Sequence, residues 1–389
     1  MLGALMTGGL AAAIANRAMD PLVTSLARDF GTPVTTAAMA ISFYALPYAL
    51  SQPILGPIGD HYGKARLLRI CMWLQAACLA VVVVSPSIWV LFAARFFGGF
   101  AGAGIMPVTM AIISDRFPAA RRQLAMGRFL SAGLLGMIFA ASVAGVLADL
   151  VSWRAVFLIA FVIGVAAAIA VTFFLDITDP PAPAAPISIA SAAAGYRRVF
   201  ASPRAVLCFS TVFIEGVALY GVMPYVAELL ETRSAGGATE AGLILAGVGV
   251  GGIAYSLSLG VLLRWMSRGQ MMFLGGLFAS AGVFALAFDA DWRTTAALFC
   301  VTGLGYLMLH NSVQTEVATL TAENRGSAFS MHSFSFFLGQ ALGPVCVGLG
   351  LALVGARPTL IACALILAGL GPLMAYLFAR LRRVESRTF

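Results

Sequence analysis

The sequence predicts an all-α membrane protein, with twelve transmembrane helices in two pseudo-symmetric six-helix bundles. Three observations predict it. The 389 residues are 61% hydrophobic and only 10% Asp, Glu, Lys or Arg, where an average soluble domain has roughly 45–50% and about 25%. The apolar stretches are continuous and long enough to cross a bilayer as helices, which takes ~20 residues, unlike the ~10-residue alternating strands of an outer-membrane barrel. Finally, the chain repeats weakly along its length. With so few charges it cannot cover a soluble surface, so a soluble enzyme, a nucleic-acid-binding module and a disordered protein all fit poorly.

Twelve spans are expected at 2–27, 34–58, 67–86, 88–113, 123–148, 153–175, 204–229, 240–263, 270–289, 293–318, 327–354 and 358–379. Very short breaks, such as Pro86-Ser87 between spans three and four, make helical hairpins the dominant unit. Residues 1–15 are too short to cross alone, so span one is expected to continue through Arg17 and Asp20. No basic segment precedes that apolar run, which favours an uncleaved first span over a signal peptide. The longest polar connection, 176–203, carries Pro180, Pro181, Pro183 and Pro186 and reads as a tether. It divides the chain into an N-terminal six-helix bundle (1–175) and a C-terminal one (204–389).

Basic residues set orientation. With a cytoplasmic N-terminus, seventeen Lys and Arg fall in inner loops and the C-terminal tail, among them Lys64, Arg66, Arg121, Arg264 and Arg380. Five fall in outer loops, and Arg17 and Arg95 lie within spans. Both termini are therefore expected in the cytoplasm. The formal charge of +8 is then mainly an orientation signal and says little about an acidic ligand.

The repeat appears on setting Pro21 on Pro224, an offset of 203 residues. Gly136 then falls on Gly339 and Arg154 on Arg357. Leu55-Gly56 meets Leu259-Gly260 with a one-residue gap. Internal repeats of this kind build many transporter folds.

The loop after span two reads Gly56-Pro-Ile-Gly-Asp60-His-Tyr-Gly63-Lys64-Ala-Arg66. It resembles the cytoplasmic signature of the major facilitator superfamily, G-x-x-x-D-x-x-G-[RK]-x-[RK]. Arg95-Phe-Phe-Gly98-Gly99 in span four resembles the R-x-x-x-G element of that superfamily's proton-coupled members. In span five the antiporter pattern is reduced, with Gly136 followed by Ala140-Ala141 and Ala144-Gly145. Its Gly-Pro bend stands instead in span eleven, at Gly339, Gly343 and Pro344. Arg17-Ala-Met-Asp20-Pro21 and the segment from Glu323 to Gln340 resemble the bacterial drug and metabolite efflux branch. The resemblance covers essentially the whole chain. It implies a multi-pass protein of the bacterial inner membrane, working by alternating access.

Charges inside spans are costly and normally have a partner and a task. Arg17 and Asp20 can pair at i,i+3. Glu215 sits mid-span with no basic neighbour in its own helix, and a lone carboxyl in low dielectric favours its protonated form. By the resemblance, spans one, four, seven and ten line a central cavity. Arg17, Asp20, Arg95, Glu215, Tyr220, His310, Asn311 and Gln314 would converge there, and Gly56, Asp60, Gly63, Lys64 and Arg66 would latch the inner gate. Glu316 reads as a gate or interface charge. Each polar residue has an alternative reading as a helix–helix hydrogen-bonding group.

No P-loop, H-E-x-x-H or G-x-S-x-G motif is present, and His61, His310 and His332 are scattered. The six cysteines contain no C-x-x-C pair, so neither a metal nor a disulfide site is expected. The expectation is therefore a transporter rather than an enzyme, exporting a small amphiphilic drug or metabolite. It would need no cofactor beyond the proton gradient as energy source. Its partners would be that substrate, protons and the lipid bilayer, with no nucleic acid, and it would act as a monomer. A proton symporter or uniporter importing a metabolite stays open, as does a membrane sensor without transport.

Overall fold

A computed structural model describes residues 1–176, 197–200, 202–320 and 325–385, without the side chains of residues 56, 57, 60, 119, 120, 325 and 382–385. Among the described residues there are helices and no strands. The first six spans are Leu2–Arg17 continued by Val23–Phe30, then Val34–Tyr62, Lys64–Val83, Ile88–Arg116, Ala119–Leu150 and Trp153–Phe174. The next six are Pro203–Glu215 continued to Val226–Thr232, then Ala238–Trp265, Arg268–Ala287, Trp292–Thr319, Arg325–Val354 and Ala356–Glu385. All but span one contain a stretch long and apolar enough to cross a membrane. Most of the tether, with its four prolines, lies outside the described residues.

Local chemistry explains the breaks. Gly63 has φ +89° between spans two and three, a conformation that glycine adopts without strain. Ser87 and Ser152 cap spans four and six by accepting from the backbone N–H groups of Val90 and Ala155. Ser267 and Gln270 form a reciprocal capping box at span nine. Asp291 caps span ten, accepting from the Thr294 hydroxyl (2.5 Å) and from the backbone of Arg293 and Thr294. These bonds hold its carboxyl below the usual carboxylate range.

The repeat is visible in the backbone. Span one breaks into a 3₁₀ turn at Asp20–Leu22 and resumes at Val23. Span seven breaks at Met223–Tyr225 and resumes at Val226, again 203 residues on. Span seven is further disturbed by a π-helical turn, Gly216–Tyr220, directly after Glu215. Such turns in helices often mark functional sites.

Glycines set how closely the spans pack, because without a hydrophobic driving force helices in lipid associate through close van der Waals contact. A Cβ on Gly136 would lie 2.8 Å from the Leu10 carbonyl oxygen and 2.9 Å from Cβ of Ala13. Its repeat partner Gly339 faces the Phe213 carbonyl and Gly216, the positions related to Leu10 and Ala13 by the same offset. Gly343 lies against Gly221, and the Tyr225 hydroxyl donates to the Pro344 carbonyl (2.6 Å). At Gly339, Gly343 and Pro344 the structure therefore shows a seam between spans eleven and seven. The two halves meet along span two against span eleven and span five against span eight.

Gly339→Ala should lower thermal stability of the purified protein, by about 1–3 kcal/mol, as overpacking does in a filled interior. Gly369→Ala, where a Cβ meets nothing within 4 Å, should leave it unchanged. Equal unfolding midpoints would contradict the seam.

Candidate functional site

Where the halves meet at mid-depth, their buried polar groups form one connected cluster. Arg17, at the end of the first helical piece, donates from Nη2 to Oε1 of Gln340 in span eleven (2.9 Å). Its Nη1 lies 3.7 Å from Oδ2 of Asp20. Its Cζ sits 4.1 Å over the Tyr220 ring of span seven. A void of about 20 Å³, roughly one water molecule in size, is lined there by Arg17, Asp20, Met137, Tyr220, Met223 and Leu245 among others.

From Tyr220 the cluster continues through aromatic contacts. Tyr220 stands edge-on to Tyr306 (5.6 Å between centroids) and to Phe336 (5.4 Å). Tyr306 and Phe336 both lie against His310. His310 Nδ1 is 2.7 Å from Oε2 of Glu215, whose side chain is 1% exposed. Glu215 is thus not the lone carboxyl expected from its own helix, since span ten supplies an imidazole partner. The other carboxylate oxygen, Oε1, is buried with no partner among the described residues. Either the imidazole N–H donates to a carboxylate, or a protonated carboxyl donates to the bare nitrogen. In either form one proton bridges the two buried groups.

The structure brings Arg17, Asp20, Tyr220, Glu215 and His310 into this cluster and gives Arg95, Asn311 and Gln314 other settings. Arg95 is 2% exposed and turned into the first half. It donates to the backbone carbonyls of Ala15 (2.7 Å) and Ala40 (3.2 Å), and its Cζ lies 4.1 Å over the Tyr44 ring. In this position it clamps spans one, two and four together. Asn311 is only partly buried and turned to Tyr255 of span eight, and Gln314, a turn beyond His310, is exposed. Tyr306, Phe336 and Gln340 also belong to the cluster. Tyr306 sits one turn before His310 on the same stripe of span ten, a spacing that could have revealed it.

At the bundle end carrying Phe30 and Thr232, polar contacts tie the halves. Glu231 Oε1 accepts from the Thr24 hydroxyl (3.0 Å) and lies 3.6 Å from Arg28 Nη2. Asp149 Oδ2 accepts from the backbone N–H (2.8 Å) and hydroxyl (2.6 Å) of Thr239. This end is sealed. At the opposite end a cavity of about 960 Å³ opens along Gly3, Met6, Thr7 and Leu10 of span one and 123–135 of span five. A smaller gap of about 280 Å³ separates Gln52, Gly59 and Lys64 from Phe329, Ser330 and Ser333 of span eleven.

The loop signature borders that gap. Lys64 pairs with Asp115 at the end of span four (2.7 Å), and Arg66 is exposed. The backbone at Gly56 and Asp60 is helical, but their side chains lie outside the described residues. The second half repeats the ion pair, with Arg268 at the start of span nine 2.6 Å from Glu316 near the end of span ten.

Twelve spans in two related bundles, meeting at a buried polar site, form an architecture shared by many transporters. The family model described as Major Facilitator Superfamily matches residues 5–288 and 235–388, and the chain belongs to that superfamily. The MFS-type transporter YwfA of Bacillus subtilis is 24% identical over 90% of this chain and 87% of its own length. The multidrug efflux pump LfrA of Mycolicibacterium smegmatis is 33% identical over 38% of this chain and 30% of its own. The probable actinorhodin transporter of Streptomyces coelicolor is 29% identical over 45% and 31%. Alignments to these two relatives thus span about a third of their length. Among solved structures, a POT family transporter in complex with a thioalcohol-conjugated peptide superposes with a TM-score of 0.81. It covers 97% of this chain and 96% of its own at 14% identity, which establishes a shared fold.

Glu231→Ala, which removes the acceptor of the Thr24 hydroxyl, should loosen the sealed end. With spin labels on the exposed Pro33 and Thr232, the longer-separation population should rise about threefold to tenfold, the equivalent of a hydrogen bond worth 0.5–1.5 kcal/mol. An unchanged distance distribution would remove Glu231 from the latch.

Proposed function

We propose that this superfamily member exports a small amphiphilic drug or metabolite, driven by the proton gradient, as the two halves rock about the Arg17–Glu215 cluster. The carrying observation is the Glu215–His310 pair. It is a buried carboxyl bonded to a buried imidazole at 2.7 Å, linked through Tyr306 and Tyr220 to the Arg17–Asp20 pair of the other half. A proton added to or taken from this group changes its charge where water is scarce. That change acts on contacts belonging to both halves. The drug pump and the probable actinorhodin transporter among its relatives support export.

The excess of basic residues in the loops at the open end supports a cytoplasmic placement of that end and of both termini, which in this reading makes the conformation inward-facing. Export then needs the sealed end to part and the gap beside Lys64 to close, with the Gly56–Arg66 loop as the inner latch. The polar contacts at the sealed end are each worth about 0.5–1.5 kcal/mol, a few kcal/mol together. One charge moving through the membrane potential supplies about 2.3 kcal/mol per 100 mV. One or two protons per cycle are thus of the right size to drive the exchange.

The test is flux of a panel of amphiphilic dyes in proteoliposomes under an imposed pH gradient. Wild-type protein should move dye against protons, and Glu215→Gln should cut gradient-driven flux about tenfold or more, equivalent to at least 1.4 kcal/mol. Full flux in Glu215→Gln would overturn the coupling role, and dye moving with the protons would make the protein an importer.

A further inference from the structure

Beside the Glu215–His310 pair lies a second buried imidazole that the proposed coupling does not use. His332 of span eleven is 3% exposed, and its ring stands edge-to-face with that of His310 at 5.0 Å between centroids. Its Nε2 is buried with no partner among the described residues, as are Oε1 of Glu215 and Nε2 of Gln340. Buried polar groups are normally hydrogen-bonded, so each orphan asks for a water or a transient partner. Gln340 lies two turns from His332 on span eleven, and Gly216, the neighbour of Glu215, packs against the Gln340 backbone.

His332 also occupies a particular level in the bundle. On the same helix Phe336, one turn deeper, touches His310. Phe329, one turn nearer the open end, and the adjacent Ser333 line the 280 Å³ gap. His332 thus stands between the buried pair and the open end. The groups facing it are few. His310 of span ten faces it directly, with Glu215 of span seven bonded to His310 and the Tyr306 and Tyr220 rings beyond. Arg17 reaches Tyr220 and Gln340 from span one. Glu316, further along span ten, is held by Arg268.

We propose that His332 is the relay through which the Glu215–His310 pair exchanges its proton with the open end. This rests on the coupling reading above and extends it to a third titratable residue. The transfer conserves every atom and electron. The Glu215 O–H bond breaks as the proton binds His310 Nδ1, leaving a carboxylate and an imidazolium. His310 then gives up its Nε2 proton to the bare ring nitrogen of His332, by a bridging water or a swing of one ring. His310 is left neutral, donating from Nδ1 to the Glu215 carboxylate. His332 passes its proton to solvent in the gap and returns to neutral.

The chain has three histidines, so ¹⁵N-histidine labelling of the full-length protein in nanodiscs gives three imidazoles to follow by NMR, with exposed His61 as internal reference. Between about pH 5 and 8, where histidines report charge, the His310 and His332 signals should respond over one shared range. Glu215→Gln should displace that range for both and leave His61 alone. In His332→Gln the proton exchange of His310 should slow by about 100-fold, the lower end of what a placed proton-transfer group contributes. A His332 signal indifferent to Glu215→Gln, or unchanged His310 exchange in His332→Gln, would overturn the relay. Should His332→Gln fail to fold, the wild-type and Glu215→Gln titrations decide. Loss of gradient-driven dye flux in Glu215→Gln but not in His332→Gln would defeat the relay alone, while full flux in Glu215→Gln would defeat the coupling beneath it.

Discussion

One guanidinium joins the two halves of this protein at the depth where water is scarcest. Arg17 is 9% exposed, and a charge in that environment is tolerated only when its donors find acceptors. No single helix supplies them all. Asp20 offers part of the countercharge from the same chain segment, Gln340 an oxygen from the opposite half, and Tyr220 an aromatic face. The need to satisfy one buried cation therefore ties the first half to the second. Any movement between halves must rearrange that contact.

The rest of the architecture places this contact where motion can reach it. Both halves break their leading span at the same repeat position, and both seat a glycine of a later span against it. The breaks place buried residues, 20–22 and 223–225, beside the junction, while the glycine seam packs the spans of each half closely. Arg95 adds to this packing, because its guanidinium bonds two carbonyls of neighbouring spans. In the rocking proposed above, the two halves would move as units about this junction. The ends then decide the state through modest contacts, Glu231 and Asp149 on one side and the space beside Lys64 on the other.

Much of the fold was legible in the residues because crossing a bilayer is a local demand. Every segment must be apolar over the length of its own helix, so the spans could be read one at a time, within a few residues of the observed ends. The halves were legible from Pro21 and Pro224 because the repeat preserves turn chemistry. The cluster was legible only in part. Arg17, Asp20 and Glu215 declared themselves as charges among apolar neighbours. The imidazole partner of Glu215 lies 95 positions away, and no periodicity in span seven points to it. Arg95 announced itself in the same manner as Arg17 but has a different setting, since orientation around a helix depends on which neighbours pack against it.

The sequence by itself determined the class of protein, the twelve crossings, the pseudo-symmetric halves and the few residues whose burial demanded a partner. It could do so because hydropathy, helix breakers and charge placement act within a turn or two of the chain. Only the tertiary structure decided the partners themselves, such as Glu215 with His310, Arg17 with Gln340 and Lys64 with Asp115. It also decided which end is shut. Those outcomes depend on how helices far apart in sequence rotate and pack against one another, and a buried charge accepts whichever donor or acceptor that packing brings within reach.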